Sequence, residues 1–184
     1  MKAVLFDLDG TLVESEIGFE ELRRRVARRL SVPPEVLRPL YEGAEALGAL
    51  DVVCEEEVRR MELSRPIPGM RELVCELRRM GIAVGIVTRC CRKAALIALE
   101  KCSIPFDVLV AAEDAPRVKP SPEHVLEALR RLGDVEKCVF VGDSLFDRVA
   151  AEGAGCAFLP TGRPDRLLRQ IKKILFNSES TSPP

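Results

Sequence analysis

At 184 residues the chain is long enough for one compact core with a smaller subdomain inserted in it, and 47% apolar residues supply the material for that core. Balanced charge, 28 Lys and Arg against 29 Asp and Glu for a net of −1, excludes a nucleic-acid-binding tail and an acidic disordered chain. Met1-Lys2-Ala3-Val4-Leu5-Phe6 meets Asp7 and Asp9 before a secretory segment could form, and no stretch approaches a membrane span, so a cytoplasmic protein with no membrane partner is expected.

The first apolar run, Ala3 to Phe6, reads as a buried strand. From about Glu14 to Arg65 there is no strand signal, only helical patterns such as Phe19, Leu22, Val26 and Leu30, until Pro66-Ile67-Pro68-Gly69 punctuates a return. A helix-period stripe of Met70, Leu73, Val74, Leu77 and Met80 then precedes two more runs, Ile82 to Val87 and Val108 to Ala111. Val125, Leu126, Leu129 and Leu132 form a second stripe before the runs Cys138 to Val141 and Cys156 to Leu159, and Leu167, Leu168, Ile171, Ile174 and Leu175 form the last. Continuous apolar strands separated by amphipathic helices require a parallel sheet covered on both faces. The expected fold is therefore α/β, a doubly wound, mostly parallel, five-stranded sheet with a small inserted α-helical cap. Its core comprises residues 1–13 and 67–176, the cap 14–66, and a polar tail 177–184 that is expected to fray.

In such sheets ligands bind beyond the carboxyl ends of the strands. After the first strand comes Asp7-Leu8-Asp9-Gly10-Thr11-Leu12, and residues two apart in extended chain face one side, so both acids can enter the crevice. Asp9-Gly10 would also suit a hairpin turn, but no partner strand is expected after it. One carboxylate of such a pair can attack phosphorus while the other shuttles a proton. After the second strand, the Thr88 hydroxyl and the Arg89 backbone N–H can donate to a phosphate oxygen. Lys119, held between prolines in the loop after the third strand, can neutralise nucleophile and phosphate charge. After the fourth strand, Asp143 and Asp147 stand four apart, hard oxygen ligands suited to magnesium, although helix capping by Asp143 or Ser144 is the competing reading. A metal on Asp7 and Asp143, with Lys119, would offset the repulsion between an anionic nucleophile and a phosphate.

These motifs resemble the haloacid dehalogenase superfamily, in its phosphoglycolate-phosphatase-like branch with a helical cap inserted after the first motif. Asp7 through Leu12 is similar to the first motif, Val87-Thr88 to the second, Lys119-Pro120 to the third, and Gly142-Asp143-Ser144 through Asp147 to the fourth. The resemblance implies Asp7 as nucleophile and Asp9 as general acid/base, whose backbone carbonyl also ligates Mg2+. It implies phosphate binding by Thr88 and the Arg89 amide, a charge-stabilising role for Lys119, Asp143 as a metal ligand, and Asp147 as support for the metal shell or orienter of Lys119. Arg89-Cys90-Cys91 departs from the asparagine common after the second motif's hydroxyl residue.

The implied activity is a magnesium-dependent phosphatase acting on a small phosphorylated metabolite, such as a phosphoglycolate-like compound, sugar phosphate or nucleotide, through an aspartyl-phosphate. No lysine lies between Lys2 and Lys93, which by the same resemblance removes an imine-forming hydrolase, and the cap's lack of histidine and lysine disfavours a sugar phosphomutase. A non-catalytic phospho-ligand-binding module is the third reading, disfavoured because a pure binder has no need of Asp9 as proton shuttle. No nucleic-acid partner is expected, and the chain is read as a monomer or homodimer. The cap arginines, Arg23, Arg28 and Arg60 among them, read as solvated, and His124 as a surface residue. The seven cysteines form no zinc-like cluster; Cys75, Cys138 and Cys156 read as small hydrophobes, and disulfide pairing stays open.

Overall fold

The computed structural model describes residues 1–176, so the expected tail 177–184 lies outside the described residues. Five strands form the central sheet: β1 (Lys2–Phe6), β4 (Ala83–Val87), β5 (Val108–Val110), β6 (Lys137–Gly142) and β7 (Ala157–Pro160). Their order is β5-β4-β1-β6-β7 and every pairing is parallel. All five coincide with the apolar runs of the sequence. Because β1 is central and the chain leaves it first toward β4 and later returns to β6, the order reverses beside β1, which opens a crevice at its carboxyl end.

Helices cover both faces. Helices α4 (Met70–Arg79), α5 (Arg92–Lys101) and α8 (Pro164–Phe176) bury Leu77, Ala98 and Ile171 against Val4, Phe6 and Val84 on one side. Helices α6 (Glu123–Leu132) and α7 (Leu145–Gly153) bury Val125, Ala128 and Ala150 against Leu5, Val87 and Phe140 on the other. Val4, Leu5 and Phe6 thus alternate between the two layers, as period-two side chains must.

The insert contains α1 (Phe19–Leu30), α2 (Leu40–Ala46) and α3 (Leu50–Met61). Leu22, Val26, Leu37, Leu40 and Val53 form its own apolar cluster, distinct from the two layers on the sheet. One expectation needs correction: the segment from Glu14 to Arg65 does include strand. Val13–Ser15 (β2) and Ser64–Pro66 (β3) pair antiparallel, with Glu14 opposite Arg65, at the two points where the chain enters and leaves the insert. Val13-Glu14-Ser15 and Ser64-Arg65-Pro66 carry no apolar run, and their pairing joins residues about fifty positions apart. A partner strand therefore does follow Gly10, but it pairs with β3 and does not fold back on β1.

Candidate active site

Asp7 leaves β1 with its N–H still donating to the Val141 carbonyl at 2.9 Å, so the ladder to β6 fixes its backbone. Gly10, at φ 81, turns the chain away, and a Cβ there would strike the Asp143 carboxylate, so glycine permits both the turn and the approach of that acid. Lys119 is buried, and its ammonium donates to Asp7 Oδ1 at 2.6 Å, Asp147 Oδ1 at 2.6 Å and the Val87 carbonyl at 2.8 Å. Those three bonds use all three N–H donors of the ammonium.

Asp147 accepts at its other oxygen from the Ser144 N–H (3.0 Å) and hydroxyl (2.6 Å), while its own N–H donates to Ser144 Oγ at 3.2 Å. This reciprocal box makes Ser144 the N-cap of α7 and leaves Asp143 free of capping duty. A Cβ at Gly142 would meet Asp147 at 2.6 Å, so glycine there lets the acid fold back over the strand end. Thr88 is buried, and its hydroxyl accepts from the Cys90 N–H at 3.1 Å, which keeps the O–H proton available to donate.

All the residues singled out in the sequence, Asp7, Asp9, Thr88, Arg89, Lys119, Asp143 and Asp147, line one cavity of about 320 Å³. Burial raises the Asp7 carboxyl to about 7 against the opposing pull of Lys119, and the Asp147 and Asp143 charges raise it further. Burial and the Asp147 charge likewise raise Asp143. Burial acts to lower the Lys119 ammonium, but Asp7 and Asp147 more than reverse it, and the group stays protonated. Asp7, Asp143 and Asp147 can each place a carboxylate oxygen within 4.8 Å of the others. Such a set of hard oxygens, in which Asp147 and Asp143 both act to raise Asp7, fits a magnesium ion.

Two expectations fail here. His124 is a core residue: burial holds its imidazole down to about 4, its Nδ1 accepts the Lys119 N–H at 3.3 Å, and Nε2 donates to the Ala111 carbonyl at 3.0 Å. It ties the Lys119 loop to the end of β5, because the first turn of α6 points back at that loop. Nor are all the insert's arginines solvated. Arg23 is buried on Glu20, and Arg60 is buried with Nη2 donating to Asp9 Oδ1 at 3.0 Å, Nη1 to Asp9 Oδ2 and Nε to the Ile17 carbonyl at 2.5 Å.

The insert face of the site was invisible as a motif. Cys54, Glu57 and Arg60 recur every three residues on α3 and face the core together. Cys54 forms a disulfide with Cys91 at the start of α5. Glu57 accepts the Cys91 N–H at 2.8 Å and the Tyr41 hydroxyl, and burial raises its carboxyl to about 7. The signal that could have found them is the polar stripe at helical spacing in a helix otherwise expected to present apolar residues inward.

A family model of haloacid dehalogenase-like hydrolases matches residues 1–155. The chain is 32% identical over 173 residues to pyrophosphatase PpaX of Bacillus velezensis, covering 83% of this chain and 79% of that protein. It is 30% identical over 198 residues to hexitol phosphatase A of Escherichia coli, covering 97% of this chain and 92% of that one. Among solved structures it is similar to CbbY from Rhodobacter sphaeroides in complex with phosphate, at TM-score 0.71 and 28% identity over 89% of this chain and 88% of that chain.

Proposed function

The chain belongs to the haloacid dehalogenase-like hydrolases and is a phosphoric monoester hydrolase of that family, and from this premise we propose that it is a magnesium-dependent phosphatase of small phosphorylated metabolites that works through an aspartyl-phosphate on Asp7. The observation that carries the reading is the Lys119 ammonium bridging Asp7 and Asp147 at 2.6 Å each, in the cavity shared with Asp9 and Asp143. A buried cation already shared by two carboxylates at the end of β1 suits chemistry that brings further negative charge there.

In the proposed reaction an Asp7 carboxylate oxygen forms a bond to phosphorus as the ester P–O bond breaks. One Asp9 oxygen exchanges its Arg60 partner for the departing oxygen and gives it a proton, so the alcohol leaves neutral. Water then attacks the same phosphorus, Asp9 takes back a proton, the bond to Asp7 Oδ breaks, and inorganic phosphate leaves. Magnesium, held by the Asp7 and Asp143 carboxylates and the Asp9 carbonyl, would supply charge compensation for the phosphoryl oxygens. Thr88 and the Arg89 N–H orient those oxygens, Lys119 fixes Asp7 and offsets its charge, and Asp147 orients Lys119. Residues 14–66 act as a cap over the cavity, a reading supported by their separate apolar cluster.

Two of the relatives are named as a pyrophosphatase and a hexitol phosphatase, so sugar phosphates and related small esters are the first substrates to test. With magnesium present, purified chain should release phosphate from members of an ester panel, and Asp7→Asn should lower turnover by roughly ten-thousandfold or more. A folded protein that hydrolyses no ester sinks the reading; wild-type turnover in Asp7→Asn sinks the nucleophile.

A further inference from the structure

The Arg89 guanidinium lies 4.6 Å from the Tyr41 ring centre, on the insert, and 5.1 Å from that of Phe146, on α7. Two aromatic faces fix the plane of the fork and leave its N–H edges for an acceptor. The protein fills those edges poorly. Nε is buried with no hydrogen-bond partner among the described residues, and Nη2 leans on the carboxylate of Glu42 at 3.1 and 3.4 Å, an acid 51% exposed at the cavity rim. A buried N–H left without an acceptor is costly, so its retention calls for an acceptor from elsewhere.

Among the described residues Lys119 is the other cation lining the reaction cavity, and its donors are all engaged by Asp7, Asp147 and Val87. Arg89 is thus the cation there with donors left to give. It also lines an adjoining cavity of about 310 Å³ beside the loop that carries Lys119, and so stands between the reacting end of a ligand and the space beyond it.

We infer that the Arg89 side chain determines specificity by gripping a second anionic group, a carboxylate or a second phosphate, at the end of the substrate remote from the transferred phosphoryl. The inference rests on the phosphatase reading and narrows its substrate class to small phosphate esters that carry a second anion. In the unliganded arrangement the Glu42 carboxylate occupies one edge of the fork; a ligand anion takes its place and reaches Nε as well, giving the bidentate geometry that guanidinium favours.

Three esters on one three-carbon skeleton test this: 3-phosphoglycerate, glycerol 1,3-bisphosphate and glycerol 3-phosphate. Wild-type kcat/KM should favour one or both of the doubly anionic esters over glycerol 3-phosphate by about tenfold or more. Which of the two leads distinguishes carboxylate from phosphate as the second anion. In Arg89→Met and Arg89→Gln, with folding checked by thermal melt, that ratio should collapse toward one. A wild-type ratio near one overturns the inference. So does an undiminished ratio in both variants, which would assign the fork to the transferred phosphoryl or to packing. Calorimetric affinities of Asp7→Asn for the same esters separate the two levels. A tenfold binding preference that depends on Arg89, without turnover of any ester in the panel, keeps Arg89 as a second-anion contact and sinks the phosphatase reading; no binding preference sinks the inference alone.

Discussion

The core face of the cavity and the face supplied by the insert place their charges by different means. On the core face, Asp7, Thr88 and Asp143 each follow a parallel strand directly, so the sheet's hydrogen-bond ladder sets their positions before any side chain is chosen. On the insert face, Glu57 and Arg60 project from α3, and their burial exists only because that helix is docked on α5 and on the loop after β1. The first arrangement is as rigid as the sheet. The second is as rigid as the docking, which the Cys54–Cys91 disulfide ties covalently. In the proposed reading, the reacting groups sit on the sheet, and the groups that would meet the variable part of a ligand sit on or against the insert.

Three changes would break or sharpen that contrast. Lys119→Met strikes the core face: it removes the shared cation and leaves two buried carboxylates facing each other, which should cost about 3–5 kcal/mol in urea unfolding and abolish phosphate release. Wild-type stability in this variant would show that the buried triad is not the rigid element described above.

Paired Cys54→Ser and Cys91→Ser substitutions strike the insert face. The bond spans 37 residues, so its loss should lower stability by about 4 kcal/mol, read as the difference between oxidised wild type and the double variant. An unchanged midpoint would mean that Arg60 and Glu57 alone hold α3 in place.

The smallest effect concerns His124, which links the Lys119 loop to β5. Its folded value near 4 lies below its ordinary 6.5, so the unfolded chain binds more protons between those values and stability falls as pH drops from 6.5 toward 4. Asp7 and Glu57, both raised to about 7, act in the opposite direction over much of that range, so the contribution must be read as wild type minus His124→Gln. That difference should lose about 2.5 kcal/mol between pH 7 and pH 4.5. A flat difference would remove His124 from the set of groups that enter the fold neutral.

The legible part of the site was the part set by chain direction. Asp7 and Asp9 two apart in extended backbone, Thr88 after the second apolar run, and Asp143 after the fourth could be found because strand ends in a parallel sheet converge wherever the helices between them go. Lys119 was found by its prolines and its place before a helix, yet nothing local specified its three partners. His124 was misread because a polar residue beside an apolar stripe looks the same whether the helix start faces solvent or folds against a loop. Arg60 was grouped with the solvated arginines of α1, although Arg28 is 69% exposed and Arg60 only 7%, since identical side chains differ here only in what packs over them.

By itself, the sequence determined the five parallel strands, the insertion between the first and second of them, and the set of acids, hydroxyl and lysine gathered at the strand ends. These follow from hydrophobic periodicity and backbone direction, which are local. Only the tertiary structure decided that β2 pairs with β3, that Cys54 finds Cys91, that Arg60 closes on Asp9, and that Arg89 lies between Tyr41 and Phe146. Each of these joins residues far apart in the chain whose meeting depends on how the insert docks, a quantity that no spacing along the sequence encodes.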